Sequence, residues 1–185
     1  MASVARATAS NQVRIIGGEW RRRLLRFPDV PGLRPTPDRV RETLFNWLGQ
    51  RLNGQRCLDL FAGSGALGFE AASRGAGEVV LVEREGQALK ALRENRALLG
   101  AEQIKVVAGE GLSFIAGDCG QFDVIFLDPP FAADLLQNAL SRAATHLAPG
   151  GKIYIEFGSR PDLDGWQVLR EGRAGASHFC LLERA

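Results

Sequence analysis

From Arg56 onward, short apolar runs alternate with helix-period segments, and that alternation constrains the fold more than any other feature. The runs are RCLDLF (Arg56 to Phe61), VVLVE (Val79 to Glu83), IKVVA (Ile104 to Ala108), VIFL (Val124 to Leu127) and KIYIEF (Lys152 to Phe157). Between them lie helical patterns at Ala66 to Ser73, Gln87 to Leu99, a short one around Leu112 to Ala116, and about Ala133 to Leu147. The early runs are apolar throughout rather than alternating, which suits parallel strands covered on both faces. Two final strand-like segments, Trp166 to Glu171 and Ser177 to Arg184, are joined by the turn GRAG and should close one edge as an antiparallel pair. The expected architecture is α/β: a mostly parallel, doubly wound, seven-stranded sheet with helices on both faces.

The 185 residues suffice for one well-buried domain. Residues 54–185 are assigned to it. Residues 1–12 read as a disordered tail, and MASVARATAS lacks the apolar segment of a secretory signal. No apolar run approaches the ~18 residues of a membrane span. Cys57, Cys119 and Cys180 are odd in number and widely spaced, so neither a disulfide framework nor a Cys-x-x-Cys metal site fits, which favours a reducing cytoplasm. With two histidines in the chain, no metal site is expected.

Residues 13–53 form a distinct N-terminal segment of basic ribbon and helix. The first 56 residues hold eleven arginines against four acids, a balance of +7, and the remainder holds twelve basic and seventeen acidic groups, a balance of −5. A basic segment on an acidic body is the footprint of a polyanion partner. VRIIGGEWRRRLLRF gathers Arg14, Arg21, Arg22, Arg23 and Arg26 around Trp20, a composition suited to phosphate pairing and base stacking. The same residues are also compatible with a solvated ribbon. In LRPTPDRVRETLFNWLGQRL, Thr36 is placed to cap a helix starting at Pro37, with Val40, Leu44, Trp47 and Leu48 on its apolar face.

Two loops carry the chemistry. After the first run of the domain, DLFAGSGALGFE sets Gly63, Gly65 and Gly68 in a G-x-G-x-x-G pattern, and Glu83 ends the next strand twenty residues beyond Gly63. A backbone that approaches a ligand closely and an acid for ribose hydroxyls suit any adenosine-containing cofactor, so a nicotinamide oxidoreductase competes at this point. Asp59, four residues before the first glycine, opposes a pyrophosphate and favours a cation such as a sulfonium or amine, although it could equally partner a helix N-terminus. The second loop is FDVIFLDPPF. Two prolines remove two backbone donors and fix two φ angles after Asp128, which gives either a stiff strand-to-helix turn or a rigid set of acceptors. Both loops should meet at the carboxyl ends of the strands.

DLFAGSGALGFE and DPPF together resemble motifs of the Rossmann-like class I S-adenosylmethionine-dependent methyltransferases that act on exocyclic amines of nucleobases. With RIIGGEWRRRLL and RPTPDRVRETLFNWL, the chain resembles the bacterial small-subunit ribosomal RNA guanine-N2 methyltransferase family, methyltransferase D. The resemblance implies an RNA-modifying enzyme that takes S-adenosylmethionine, releases S-adenosylhomocysteine and needs no metal. It implies a partner in small-subunit ribosomal RNA or the 30S particle, no membrane, and a monomer. Carried over residue by residue, Asp59, Gly63 and Gly65 line the methionine part of the cofactor, Phe61 and Ser64 of the same loop also bind it, Glu83 takes the ribose, and Glu110 lies beside the adenine where the family usually has Asn or Asp. Arg34 and Thr36 cover the cofactor. Asp128, Pro129, Pro130 and Phe131 hold the acceptor base, and Arg14, Trp20, Arg21, Arg22, Arg23 and Arg26 hold RNA. DPPF alone is shared with DNA amino-methyltransferases, the alternative reading.

Overall fold

The structure, a computed structural model, describes residues 11–130 and 133–185. Phe131, expected to stack on the acceptor base, lies outside the described residues, as does most of the expected N-terminal tail.

Strands β1 (Asn11–Arg14) and β2 (Leu24–Phe27) form the antiparallel N-terminal ribbon, which begins two residues before the expected boundary at Val13. Its side chains alternate as a half-buried ribbon requires: Val13, Leu25 and Phe27 face inward, while Arg14, Leu24 and Arg26 face out. Helix α1 follows at Asp38–Trp47, and it buries Val40, Arg41, Leu44 and Phe45. Pro37 occupies the N-cap position and no side chain caps the helix, so Thr36 does not serve as the expected cap. Its hydroxyl is engaged elsewhere, as described below.

The body then runs β3 (Arg56–Asp59), α2 (Ala66–Ser73), β4 (Glu78–Glu83), α3 (Gly86–Leu99), β5 (Ile104–Ala108), α4 (Gly111–Ala116), β6 (Phe122–Leu127) and α5 (Ala133–Ala143). A single 3-10 turn at Ala144–His146 leads into β7 (Leu147–Phe157), followed by β8 (Trp166–Ala174) and β9 (Ser177–Arg184). The seven strands order as β5-β4-β3-β6-β7-β9-β8, parallel except for β9, which runs antiparallel to both neighbours. β7 starts five residues before the expected Lys152, because Leu147 already pairs with Phe122 ahead of a register shift. β8 continues through Arg173 and Ala174, which pair with His178 and Ser177, so only Gly175 and Ala176 turn the hairpin. The expected four-residue GRAG turn is thus two residues long, with Gly175 at a φ of 59°.

Both faces of the sheet are buried. On one, Phe126 and Tyr154 pack with Phe45 of α1, Phe69 of α2 and Leu92 of α3. On the other, Leu58, Ile125 and Ile155 pack with Ile115 of α4 and Leu136 and Leu140 of α5. The ribbon belongs to the first of these cores, through Ile15, Trp20 and Leu25. A buried carboxylate fastens it there. Glu70 of α2 accepts from the Ile16 and Gly17 backbone N–H groups, both at 2.9 Å, and pairs with Arg41 at 3.4 Å and Arg74 at 2.9 Å. Arg41 also pairs with Asp38. Its Nη1 donates to the Arg14 carbonyl and its Nε to the Thr36 carbonyl, so one guanidinium ties β1, α1 and the segment before α1 to the body.

Candidate active site

Strand order reverses between β3 and β6: from β3 the chain winds outward to β4 and β5, and from β6 it winds the other way to β7. The loops leaving two such strands diverge and open a crevice at their carboxyl ends. A cavity of about 770 Å³ occupies that place. Its walls are the loop after β3, the end of β4, the Asp128–Pro130 corner and the end of β7, and residues 30–37 of the N-terminal segment close another side.

The three glycines of the first loop do different work. Gly63 lines the cavity, and a Cβ built on it would meet only Leu33, at 3.8 Å, so its backbone borders open space. Gly65 and Gly68 face inward. A Cβ on Gly65 would fall 2.6 Å from Leu92, and one on Gly68 would fall 2.1 Å from Leu81. Gly65, expected against the cofactor, therefore lets the start of α2 approach Leu92 of α3, Gly68 packs α2 onto β4, and Phe61 and Ser64 line the cavity. At the end of β4, Glu83 accepts from Gly63 N at 2.7 Å and from the Arg84 and Glu85 N–H groups at 3.0 Å. Three of the roughly four acceptor sites of a carboxylate are filled, which fixes its orientation and leaves one for a ligand. Glu110 and Arg34 also line the cavity, and Glu110 pairs at 3.2 Å with the exposed Arg84.

The acidic wall is denser than the sequence suggests. Asp59 is 2% exposed and accepts from Gly68 N at 3.1 Å, so it both partners the first turn of α2 and borders the cavity. Burial, with a smaller push from Glu83, raises its carboxyl to about 7. Asp128, just past the end of the neighbouring strand β6, lines the same cavity. Thr36 Oγ1 lies 3.4 Å from Asp128 Oδ2 and 3.5 Å from Glu156 Oε2, and Tyr154 donates its hydroxyl to the same Glu156 oxygen at 3.1 Å. Sheet register explains the meeting: Leu127 pairs with Ile155, so the next residues, Asp128 and Glu156, emerge side by side. Burial first, then Glu156 and Asp59, hold Asp128 well above the ordinary carboxylate range, and burial also raises Glu156. Among the described residues, no ion pair involves Asp59, Asp128 or Glu156. Three clustered carboxylates without a cation suit a positively charged ligand. Glu156 escapes a sequence reading because KIYIEF reads as a strand. Its period-two relation to Tyr154 is the available signal.

The basic side chains divide as well. Arg14, Arg21, Arg22, Arg23 and Arg26 are exposed. Trp20 is 6% exposed and packed in the core, where its backbone N–H donates to Ser73 Oγ at 2.9 Å. Its ring thus faces the core rather than standing in solvent beside the arginines. Among the described residues no group of His, Cys, Asp and Glu is arranged to hold a metal ion, and no helix is long and apolar enough to cross a membrane.

Residues 13–183 match the family model described as Conserved hypothetical protein 95. A relative from Escherichia coli strain K12 named ribosomal RNA small subunit methyltransferase D is 43% identical over 183 residues, covering 96% of this chain and 92% of its own. One of the same name from Haemophilus influenzae is 40% identical, covering 99% of this chain and 100% of its own. The solved structure of the Escherichia coli protein yhhF superposes with a TM-score of 0.85 at 43% identity, covering 94% of this chain and 98% of that one. A precorrin-6y C5,15-methyltransferase from Geobacter metallireducens, 19% identical with a TM-score of 0.64, shares the fold. The chain therefore has the α/β fold of Rossmann-like methyltransferases and belongs to the Conserved hypothetical protein 95 family, alongside relatives named ribosomal RNA small subunit methyltransferase D.

Proposed function

We propose that this protein transfers a methyl group from S-adenosylmethionine to the exocyclic N2 amine of a guanine in small-subunit ribosomal RNA, on an assembled or assembling 30S particle. The observation that carries the reading is the meeting of a glycine-lined cradle, a ribose-type acid and an unneutralised acidic wall beside the Asp128–Pro129–Pro130 corner in one cavity. The names of the relatives support ribosomal RNA as the substrate.

These residues fit the cofactor. Gly63 lets the backbone approach, Glu83 keeps one acceptor site for a ribose hydroxyl, and Asp59 offers negative charge to the ammonium and sulfonium. Phe61 and Ser64 lie on the same wall, while Arg34, Thr36 and Glu110 border the cavity where they can cover the adenosine. Bound there, the cofactor supplies an electrophilic methyl group, so neither a metal nor a covalent nucleophile is needed. The acceptor presents the harder problem, because guanine's amine lone pair is delocalised into the ring. Asp128 and the Pro129 carbonyl would accept from its two N–H bonds, which favours a pyramidal nitrogen with its lone pair free. Pro130 keeps that corner stiff, so the acceptors need no reorganisation during reaction. Phe131 would stack on the extruded base.

Arg14, Arg21, Arg22, Arg23 and Arg26 supply the RNA-facing charge from the ribbon. Arg22 sits at a φ of 72°, a left-handed conformation costing about 1–2 kcal/mol for a non-glycine residue, and its N–H still closes on the Ile15 carbonyl. The ribbon tip is thus held in shape by backbone pairing, with its arginines in solvent.

The test is transfer of radiolabelled methyl to three acceptors in parallel: unmodified small subunits, the same RNA stripped of protein, and duplex DNA. Label recovered as N2-methylguanosine, strongest with subunits, is expected. Label confined to DNA would replace the reading with DNA amine methylation.

A further inference from the structure

The proposed function uses Asp128 and leaves its neighbour without a task. Glu156 lines the same cavity and comes from a different strand. It is held in place by the hydroxyl of Tyr154, whose ring is fully buried between Phe126 and Phe179. Thr36 Oγ1 stands within 3.5 Å of both carboxylates, and its single hydroxyl hydrogen can serve only one of them at a time. Thr36 is itself fixed, its carbonyl receiving Arg41 Nε at 3.0 Å. Two carboxylates bridged in this way inside a crevice cannot both ionise cheaply, so they hold one proton between them.

We propose that Asp128 and Glu156 act as a carboxylate pair that shares one proton at rest and takes up the proton released when the acceptor amine is methylated. This rests on the methyltransferase reading above. The proton balance requires such a group. The acceptor nitrogen gains one C–N bond and must lose one N–H proton, while sulfur keeps the electron pair of the broken S–C bond. A pair with one proton carries one negative charge, and uptake of the amine proton leaves it neutral. Asp128 sits at the rigid corner and meets the amine, and Glu156, beside it, lets the proton move away from the product. The ionisable groups that face the pair are Asp59 from β3, which acts on Asp128, and Tyr154 from β7, which acts on Glu156 and is itself raised by both carboxylates. Cys180 on β9 reaches only Tyr154. Glu156 is thus a second acid at the reaction centre, with Thr36 and Tyr154 as positioning residues.

The direct test is a carboxyl-carbon NMR titration of the ligand-free protein, which needs no substrate. Glu156→Gln removes the competing charge, so the Asp128 midpoint should move to lower pH. Tyr154→Phe removes only the hydroxyl that favours the ionised Glu156, so the Glu156 midpoint should move up. In methyl transfer, Glu156→Gln should lower kcat about 100-fold and shift the acid limb of its pH profile downward, with the cofactor Kd within about threefold of wild type. An Asp128 titration and a pH profile that superpose on wild type in Glu156→Gln would overturn the pair. So would an unmoved Glu156 midpoint in Tyr154→Phe. A wild-type protein that methylates no RNA but shows the coupled titration would remove the functional reading and leave the proton sharing intact.

Discussion

Asp59 illustrates how one side chain serves structure and site together. It accepts from the first turn of α2, a hydrogen bond that favours its charged form, yet burial dominates and lifts it to about 7. A cation bound beside it recovers the energy of ionising it. Affinity for S-adenosylmethionine should therefore rise as pH increases from about 6 through 7 and level off above 8, by up to about tenfold per unit below the midpoint. Calorimetric titrations at several pH values would show this, and Asp59→Asn should bind weakly with a flat profile. An equal slope in that variant would place the titration on another group. Asp128 and Glu83 are legible in the sequence because they end apolar runs, where side chains must meet ligand or loop, and Asp59 because it stands just before the glycine loop. The part Thr36 plays between the two carboxylates is not, since a threonine before Pro37 and Asp38 looks like a cap until the carboxylates competing for its hydroxyl are known. Trp20 misleads because an aromatic ring among arginines suits a nucleic-acid surface, whereas packing of the ribbon onto the body turns it inward.

At the level of elements, the strands and helices after Arg56 lie close to the expected residues, with α2 and β5 at the expected bounds. Periodicity suffices when a segment is buried on a whole face. It fails where pairing partners decide the length, as in the early start of β7 and the late end of β8. The burial of Arg41 is illegible for a related reason: besides Asp38 on its own helix, its partner is the buried Glu70, 29 residues away. Glu70 is fully buried and joins the ribbon, α1 and α2 through two backbone donors and two guanidinium groups. Glu70→Leu should cost about 3–5 kcal/mol, because it removes the buried carboxylate shared by Arg41 and Arg74 and leaves the Ile16 and Gly17 N–H groups without their acceptor. Only the half-exposed Asp38 then stays paired to Arg41. Denaturant unfolding would read this loss, and hydrogen exchange should show the Ile16 and Gly17 amides losing protection first. Destabilisation below about 1 kcal/mol would mean that the ribbon docks mainly through Trp20 and Leu25.

Across the whole molecule, charge and shape are arranged around one crevice. Residues 30–37 of the basic N-terminal segment line the cavity, while the ribbon tip sits at the far end of α2, where the Glu19 and Trp20 N–H groups reach Ser73, with Arg21, Arg22 and Arg23 in solvent. The acidic wall lies inside. The acidic interior suits a cation and the exposed arginines of the ribbon suit a polyanion, as a methyl transfer from a sulfonium to RNA would require. Arg21→Ala, Arg22→Ala and Arg23→Ala combined should weaken binding to small subunits and reduce the slope of log affinity against log salt by about 0.7–0.9 for each phosphate left unneutralised. An unchanged slope would direct the search to other arginines. The central claim concerns the corner at Asp128, and it is tested most directly by single-turnover methyl transfer with Asp128→Asn, with the cofactor Kd measured on the same preparation. We expect turnover to fall about 100- to 1000-fold with the Kd within about threefold of wild type. Parallel loss of turnover and cofactor affinity would contradict the account, since Asp128 would then hold the cofactor or the fold rather than the reacting amine.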